Sequence, residues 1–301
     1  MKRRVIKHGP STYTISLPSK WVKQHNIQKG DELDLNMLGP MLQVYTHTVN
    51  DGSTYEADIS QLSPEMAKRL LGSLHKNGYD TLNLQCTPAQ LPHIQKRINT
   101  MLLDYEIINI KENKCIIKAI SQSTEQSFKP IFRRLFLVTI ALAEGVADLT
   151  KKQEFEKLAD LLSLEETNNK LTNYIHRLIT KHYLSQDKLC YVYVISWILE
   201  SIADEYKEIC ILLKDEKKSD RSCEVIFEEM QKLIHDLYEL FYNFEFPKVE
   251  QLLVHTKSIK EHIQMELEQK RKKHEVATLF ALNAIQRYVE HSIGSIIAYH
   301  N

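Results

Sequence analysis

The first 46 residues constrain the fold of this chain more than any other stretch. A basic, strand-like run ends at Gly9-Pro10, and apolar and polar residues alternate over 12–17. Pro18 ends that second strand because proline has no N–H for a ladder. A short helix is then predicted over about 19–25. Two further strands are predicted over 32–36 and 41–46.

So small a segment cannot bury a hydrophobic core within one chain. We therefore expect two copies of the segment to share a core, which makes the protein a dimer. The apolar residues expected in that shared core are Val5, Ile15, Leu17, Trp21, Val22, Leu33 and Leu35.

The same segment is locally basic. Residues 1–46 hold seven Lys or Arg against three Asp or Glu, a net charge of +4, whereas the whole chain balances 39 against 39. A local basic patch is typical of contact with the phosphate backbone of DNA, although a solvated basic terminus is the alternative. The residues expected to bind DNA are Lys2, Arg3, Arg4, Lys7, His8, Lys20 and Lys23.

A family resemblance agrees with this interpretation. The basic strand, the glycine turn, Leu17-Pro18, Trp21 and the run Lys29-Gly30-Asp31-Glu32-Leu33 resemble the AbrB/SpoVT swapped-hairpin DNA-binding domain over about residues 1–47. The resemblance implies a homodimer that binds DNA through its hairpins.

Composition limits the remaining possibilities. The chain contains no apolar run near the 18 residues or so of a membrane span, and its start does not read as a secretory signal. Five scattered cysteines without C-x-x-C spacing indicate free thiols in a reducing compartment, so we expect a cytoplasmic protein. No motif places a nucleophile beside a base, and we expect no enzyme activity.

Three domains are predicted in a multidomain α+β chain, over 1–48, 49–124 and 125–301. The middle block shows an α-β-α-β-β order, which favours a small ferredoxin-like layer of helices on one face of a sheet. It carries no phosphate loop and no ligand spacing. We interpret it as a spacer or dimerisation module, with effector binding as the alternative.

Residues 125–301 have the periodicity of helices. Their order indicates an all-α bundle built from two three-helix repeats, 125–213 and 223–301. The six helices are predicted over about 128–150, 154–183, 187–213, 224–242, 246–270 and 275–300, with an interruption of the second near Ser163 as an alternative.

The third of these helices carries a row of carboxylates. Glu200, Asp204 and Glu208 stand at i, i+4 and i+8, where like charges disfavour the helix. The row therefore needs cations. A metal ion is one possibility, since carboxylates suit divalent or ferric ions, and a solvated row paired with Lys207 is the other.

The stretch 197–205 also resembles the helix signature of PhoU, the phosphate-uptake regulator. Glu200 and Asp204 match its metal-binding E-x-x-x-D, and Glu144 and Asp148 repeat the pattern in the first helix. The corresponding stretch of the sixth helix has Gln286 and Glu290, a degraded motif. The metal ligands that the resemblance implies, together with the carboxylate row, are Glu144, Asp148, Glu200, Asp204 and Glu208.

A PhoU-like bundle behind an AbrB-like hairpin resembles a class of archaeal PhoU-domain regulators. The resemblance implies a DNA-binding homodimer that regulates phosphate uptake, with a component of a phosphate transporter as a further partner. The alternative is an adaptor that binds the transporter while its hairpin only dimerises. A di-metal helical-bundle enzyme is a third, separate possibility.

Overall fold

A computed structural model describes residues 1–38, 40–46, 53–120, 125–181, 188–216 and 221–301. It divides the chain into two units, Met1–Ser53 and Thr54–Asn301. The domain borders predicted at 48/49 and 124/125 lie outside the described residues. The division into three domains stays a prediction.

The N-terminal unit consists of short elements. Strands β1 and β2 pair antiparallel across a turn in which Gly9 has a φ of +82°, a value that glycine adopts without strain. Strands β3 and β4 form a second antiparallel pair, from Leu33 opposite Thr46 to Leu38 opposite Met41. The elements are β1 (Ile6–Lys7), β2 (Tyr13–Thr14), α1 (Ser19–Gln24), β3 (Leu33–Leu38) and β4 (Met41–Thr46).

This unit has no interior of its own among its described side chains, each of which is exposed or half-buried. Leu35 is 62% exposed. Of the residues expected in a shared core, Val5 and Ile15 are also exposed, and the other four are half-buried, namely Leu17, Trp21, Val22 and Leu33. One copy therefore leaves these apolar groups without the burial that stabilises a fold.

The second unit begins with an α/β layer. Its sheet has the order β5-β6-β8-β7, in which β5 and β6 are parallel and the other neighbours antiparallel. The elements are β5 (Thr54–Asp58), α2 (Pro64–Lys76), β6 (Thr81–Gln85), α3 (Leu91–Met101), β7 (Tyr105–Lys111) and β8 (Lys114–Ala119).

The layer corrects the ferredoxin-like prediction, since its order is β-α-β-α-β-β and not β-α-β-β-α-β. Strand β5 is not among the predicted strands. Its sequence Thr-Tyr-Glu-Ala-Asp is poor in strand-forming residues, and it forms because it pairs with β6 along its whole length.

Helices α2 and α3 cover one face of the sheet. Ser63 caps α2 by accepting a hydrogen bond of 3.2 Å from the N–H of Met66, as its place before Pro64 predicts. The strands alternate, so that Leu82, Leu84 and other apolar side chains point inward. They are buried with residues of both helices in one core, which includes Leu71, Leu74, Ile94, Ile98, Cys115 and Ile117.

The C-terminal part of the described chain is helical, as predicted, and has its own core. The predicted second helix is divided into a 3₁₀-helix (Phe155–Leu161) and an α-helix. The α-helices are α4 (Glu125–Lys151), α5 (Leu162–Thr180), α6 (Leu189–Glu216), α7 (Arg221–Tyr242), α8 (Phe246–Leu267) and α9 (Lys273–His300). That they form a PhoU-like bundle of two repeats stays a prediction.

Arg177 on α5 fixes the α/β layer to the helical region. Its side chain is 1% exposed, and its Nη2 lies 2.6 Å from Oδ1 of Asp80. Its Nη1 donates hydrogen bonds to the carbonyl oxygens of Tyr79 at 2.7 Å and His75 at 3.2 Å. Lys181 also pairs with Asp80. One buried guanidinium therefore gathers acceptors that lie 97 to 102 residues earlier in the chain.

His75 lies beside this guanidinium and is neutral. Burial, assisted by the charge of Arg177, lowers the pKa of His75 to about 3. Its Nε2–H donates a hydrogen bond of 2.9 Å to the carbonyl oxygen of Leu103. His75 therefore adds no positive charge beside Arg177 and Lys181, where a further cation would be costly.

Replacement of Arg177 by glutamine should lower the free energy of unfolding by about 3 kcal/mol, because it leaves Asp80 partly buried with only Lys181 as partner. Urea denaturation of the whole chain measures the change. Lys170→Gln on the same helix is the control and should stay within about 0.5 kcal/mol of wild type. A change below about 1 kcal/mol for Arg177→Gln would contradict this role.

Candidate functional site

The seven side chains expected to bind DNA are all exposed in the N-terminal unit. Lys7 ends β1, His8 lies in the following turn, and Lys20 and Lys23 belong to α1. The backbone N–H of His8 donates a hydrogen bond of 2.7 Å to the carbonyl of Thr12, which closes that turn. The unit thus presents its excess positive charge to solvent, where it is available to phosphate groups.

The carboxylates expected to bind a metal do not come together. Glu200 and Asp204 line a cleft of about 580 Å³ that is bounded by α2, α3, α5 and α6. Glu144 and Asp148 line another cleft, of about 670 Å³, between α4 and α7. Glu208 lies on the exposed side of α6 and lines neither cleft.

In the cleft between α4 and α7, the two carboxylates of α4 are already paired with other side chains of the protein. Oε1 of Glu144 lies 2.8 Å from Nε2 of His235, and Oδ2 of Asp148 lies 2.7 Å from Nζ of Lys152. Within the described ranges, no three His, Cys, Asp or Glu side chains are arranged to hold a metal ion. A centre shared by all five predicted ligands is therefore not supported by the geometry, and metal binding itself stays a prediction.

The first cleft, here called the interlayer cleft, lies between the α/β layer and the helical region. Cationic side chains of α2 and α3 line one side, and carboxylates of α5 and α6 line the other. The side chains that define it are Arg69, Lys96, Arg97, Glu165, Glu200 and Asp204. The sequence places Glu200 and Asp204 together on one helix face, but it does not identify the facing residues.

Glu165 is the most buried carboxylate of the interlayer cleft, at 4% exposure. Its Oε1 accepts hydrogen bonds of 2.9 Å from Nζ of Lys207 and 2.5 Å from Nδ2 of Asn169. Burial raises the pKa of Glu165, and a hydrogen bond with the Asp204 carboxyl adds to that rise, while Lys207 opposes it. Lys207 also lies 3.9 Å from Oδ1 of Asp204.

Lys207 thus supplies part of the positive charge that the carboxylate row needs. This is the alternative to metal that the sequence left open, and α5 contributes a carboxylate that the sequence did not indicate. Glu200, unlike Glu165 and Asp204, is not paired with Lys207. Burial raises its pKa, and it forms no hydrogen bond or ion pair with any described residue.

A protein-family model matches the N-terminal segment. The model described as antidote-toxin recognition MazE, bacterial antitoxin, matches residues 6–38, from β1 to the end of β3. The N-terminal segment is therefore an AbrB/MazE-like domain. This indicates a DNA-binding or antitoxin-like regulator.

Neither the curated proteins nor the solved structures that were compared gave a match to this chain. The PhoU resemblance of the helical region is thus carried by the sequence motifs alone. In the described ranges, no helix is both long enough and apolar enough to cross a membrane.

Replacement of Lys207 by methionine should destabilise the protein by about 1–2 kcal/mol at pH 7.5, a value reduced from that of a fully buried pair because Lys207 is partly solvated. The pKa of Glu165 is already raised and should rise further. The folded state then binds the proton more tightly, so the destabilisation should shrink as the pH falls through that pKa. Urea denaturation at pH 7.5 and pH 5 measures both values.

The control is Lys260→Met on the exposed side of α8, which should change stability by less than about 0.5 kcal/mol at either pH. An equal destabilisation by Lys207→Met at both pH values would mean that Glu165 does not depend on this cation.

Proposed function

We propose that this protein is a DNA-binding homodimer that regulates phosphate uptake. In this proposal the N-terminal unit binds DNA, and the PhoU-like helical region senses phosphate status through another protein, such as a phosphate transporter component. The observation that carries the proposal is the AbrB/MazE-like match at residues 6–38, on a segment whose basic side chains are exposed.

The charge distribution supports the DNA-binding half. The excess of +4 is confined to the first 46 residues of a chain that is neutral overall. Each lysine or arginine that neutralises a phosphate releases counterions, so affinity falls steeply with salt. A dimer places two such basic segments in one molecule, as two-fold DNA-binding proteins do.

The lack of a buried side chain among the described residues of the N-terminal unit supports the dimer. Apolar side chains of this unit are largely exposed in one copy, as in Val5, Tyr13 and Leu35. Their pairing with a second copy would remove this surface from water. Exposed apolar groups on such short strands are otherwise a liability for aggregation.

The phosphate half of the proposal rests on the E-x-x-x-D resemblance at Glu200 and Asp204, together with the order of the helices. The competing function is an adaptor that binds a phosphate transporter and uses its hairpin only to dimerise. Salt-dependent binding of DNA by the purified chain separates the two.

The double variant Arg3→Ala, Arg4→Ala should bind DNA more weakly, and its dependence on salt should also be weaker. The slope of log K against log salt should fall by roughly 0.9 for each phosphate group that the variant no longer neutralises. Fluorescence anisotropy with labelled genomic fragments across a salt series measures both quantities.

The matched control removes two cations from α8 with Lys257→Ala and Lys260→Ala, and it should leave the slope unchanged. If the wild-type chain shows no salt-dependent binding, the adaptor function is favoured. If Arg3 and Arg4 can be removed without effect, the DNA-binding surface lies elsewhere.

Replacement of Leu35 by glutamate should convert the dimer to a monomer. A charge at an exposed position costs little in a monomer, but it is strongly unfavourable in an apolar interface. Sedimentation velocity at several protein concentrations measures the assembly state. Met265→Glu on α8, also at an exposed apolar position, is the control and should remain dimeric. A dimer of unchanged affinity in Leu35→Glu would contradict the shared core.

A further inference from the structure

The interlayer cleft carries mostly cations on one side and mostly carboxylates on the other, with Glu65 among the cations and Lys207 among the carboxylates. Helices α2 and α3 contribute Lys68, Arg69, Lys96 and Arg97, and helices α5 and α6 contribute Glu165, Glu166, Glu200 and Asp204. Met101 and Leu162 are apolar exceptions in an otherwise polar lining. Such a lining favours a polar ligand over an apolar one.

Four of these eight charges are paired within their own side. Nζ of Lys68 lies 3.8 Å and Nε of Arg69 lies 3.3 Å from carboxylate oxygens of Glu65. On the other side Lys207 neutralises Glu165 at 2.9 Å. These pairs leave little net attraction for an additional ion.

Arg97 and Glu200 are half-buried, whereas Lys96 and Glu166, which also lack an ion pair among the described residues, are exposed. The Nε of Arg97 is buried and has no hydrogen-bond partner in the described part of the chain. Glu200 likewise has neither a hydrogen bond nor an ion pair among the described residues. A dehydrated charge without a partner is costly, so each of these groups is poised to gain by binding an opposite charge.

The charges of Arg97 and Glu200 interact electrostatically across the cleft, although the two side chains form no ion pair. Burial raises the pKa of Glu200, and the charge of Lys76 and, to a smaller extent, that of Arg97 oppose the rise. Their charged atoms form no ion pair within 4.0 Å. The cleft therefore presents a cation and an anion with space between them.

We propose that the interlayer cleft binds a small zwitterion, whose anionic group pairs with Arg97 and whose ammonium group pairs with Glu200. The guanidinium of arginine forms bidentate hydrogen bonds with carboxylates and phosphates, so amino acids and aminoalkyl phosphates share the required chemistry. A volume of about 580 Å³ lies within the usual range of small-molecule sites.

Such a ligand would bridge α3 of the α/β layer to α6 of the helical region. It would therefore stabilise the packing of these two parts to an extent set by its concentration and affinity. This inference goes beyond the proposed function and does not depend on it, since binding is measured on the free protein without DNA.

The experiment is a ligand panel on the full-length protein. The zwitterionic probes are the twenty common amino acids and O-phosphoethanolamine. The single-ended probes, which carry only one of the two charged groups, are acetate, inorganic phosphate and ethylamine. Thermal unfolding identifies probes that stabilise the protein, and isothermal titration calorimetry gives their Kd. At least one zwitterion should bind, and the matching single-ended probes should bind about tenfold more weakly or worse, because each of them lacks one charge-assisted hydrogen bond.

Two variants test whether Arg97 binds the anionic group of the ligand and Glu200 its ammonium group. Arg97→Gln and Glu200→Gln should each weaken binding by at least about tenfold. Controls on the exposed side of α8, Lys260→Gln and Glu250→Gln, should bind as wild type does. Circular dichroism checks that each variant folds. If Arg97→Gln does not fold, Arg97→Lys keeps the charge but removes the planar fork, and it should also weaken binding.

Three results would overturn the proposal. The first is that no zwitterion of the panel binds. The second is that phosphate or acetate binds as tightly as the best zwitterion and is unaffected by Glu200→Gln, which would show a site for anions alone. The third is unchanged affinity in folded variants of both Arg97 and Glu200.

Discussion

The buried guanidinium of Arg177 is the interaction on which the geometry of the larger unit depends. It belongs to α5, but its hydrogen-bond acceptors lie at the end of α2 and in the turn that leads to β6. A buried cation is tolerated only where carboxylates and carbonyls surround it in good geometry. The α/β layer therefore has one favourable position on the helical region, and α2 and α3 come to face α5 and α6 across the interlayer cleft.

The N-terminal unit differs from the larger unit in how it is stabilised. Its described side chains form no interior, so this unit does not by itself provide the burial that stabilises a fold. The exposed apolar strands and the exposed basic side chains have different uses under the proposed function, the first in assembly and the second in contact with phosphates.

The sequence predicted the elements whose periodicity is strong. The long helices other than the second agree with their predicted ranges to within a few residues, because apolar residues at helical spacing bury one face of each helix. The sequence did not predict β5, because Glu56, Ala57 and Asp58 disfavour a strand. This strand depends on its pairing with the distant β6. The carboxylate row was visible in the sequence, but Glu165 and Arg97 were not, since only tertiary packing brings α5 and α3 to it.

The same packing decides what the carboxylates of α6 can do. Lys207 compensates Glu165 and lies near Asp204, whereas Glu200, four residues earlier, faces the cationic side of the cleft without contact. Helix α6 is also apolar on its inner face, where Leu199, Ile202 and Tyr206 are fully buried in the helical core. A close-packed core resists small displacements and transmits them to its neighbours. A ligand at Glu200 would thus act on a helix that contacts both the cleft and the core. Its effect on the protein's activity would be limited by the difference in its affinity for two arrangements of that helix.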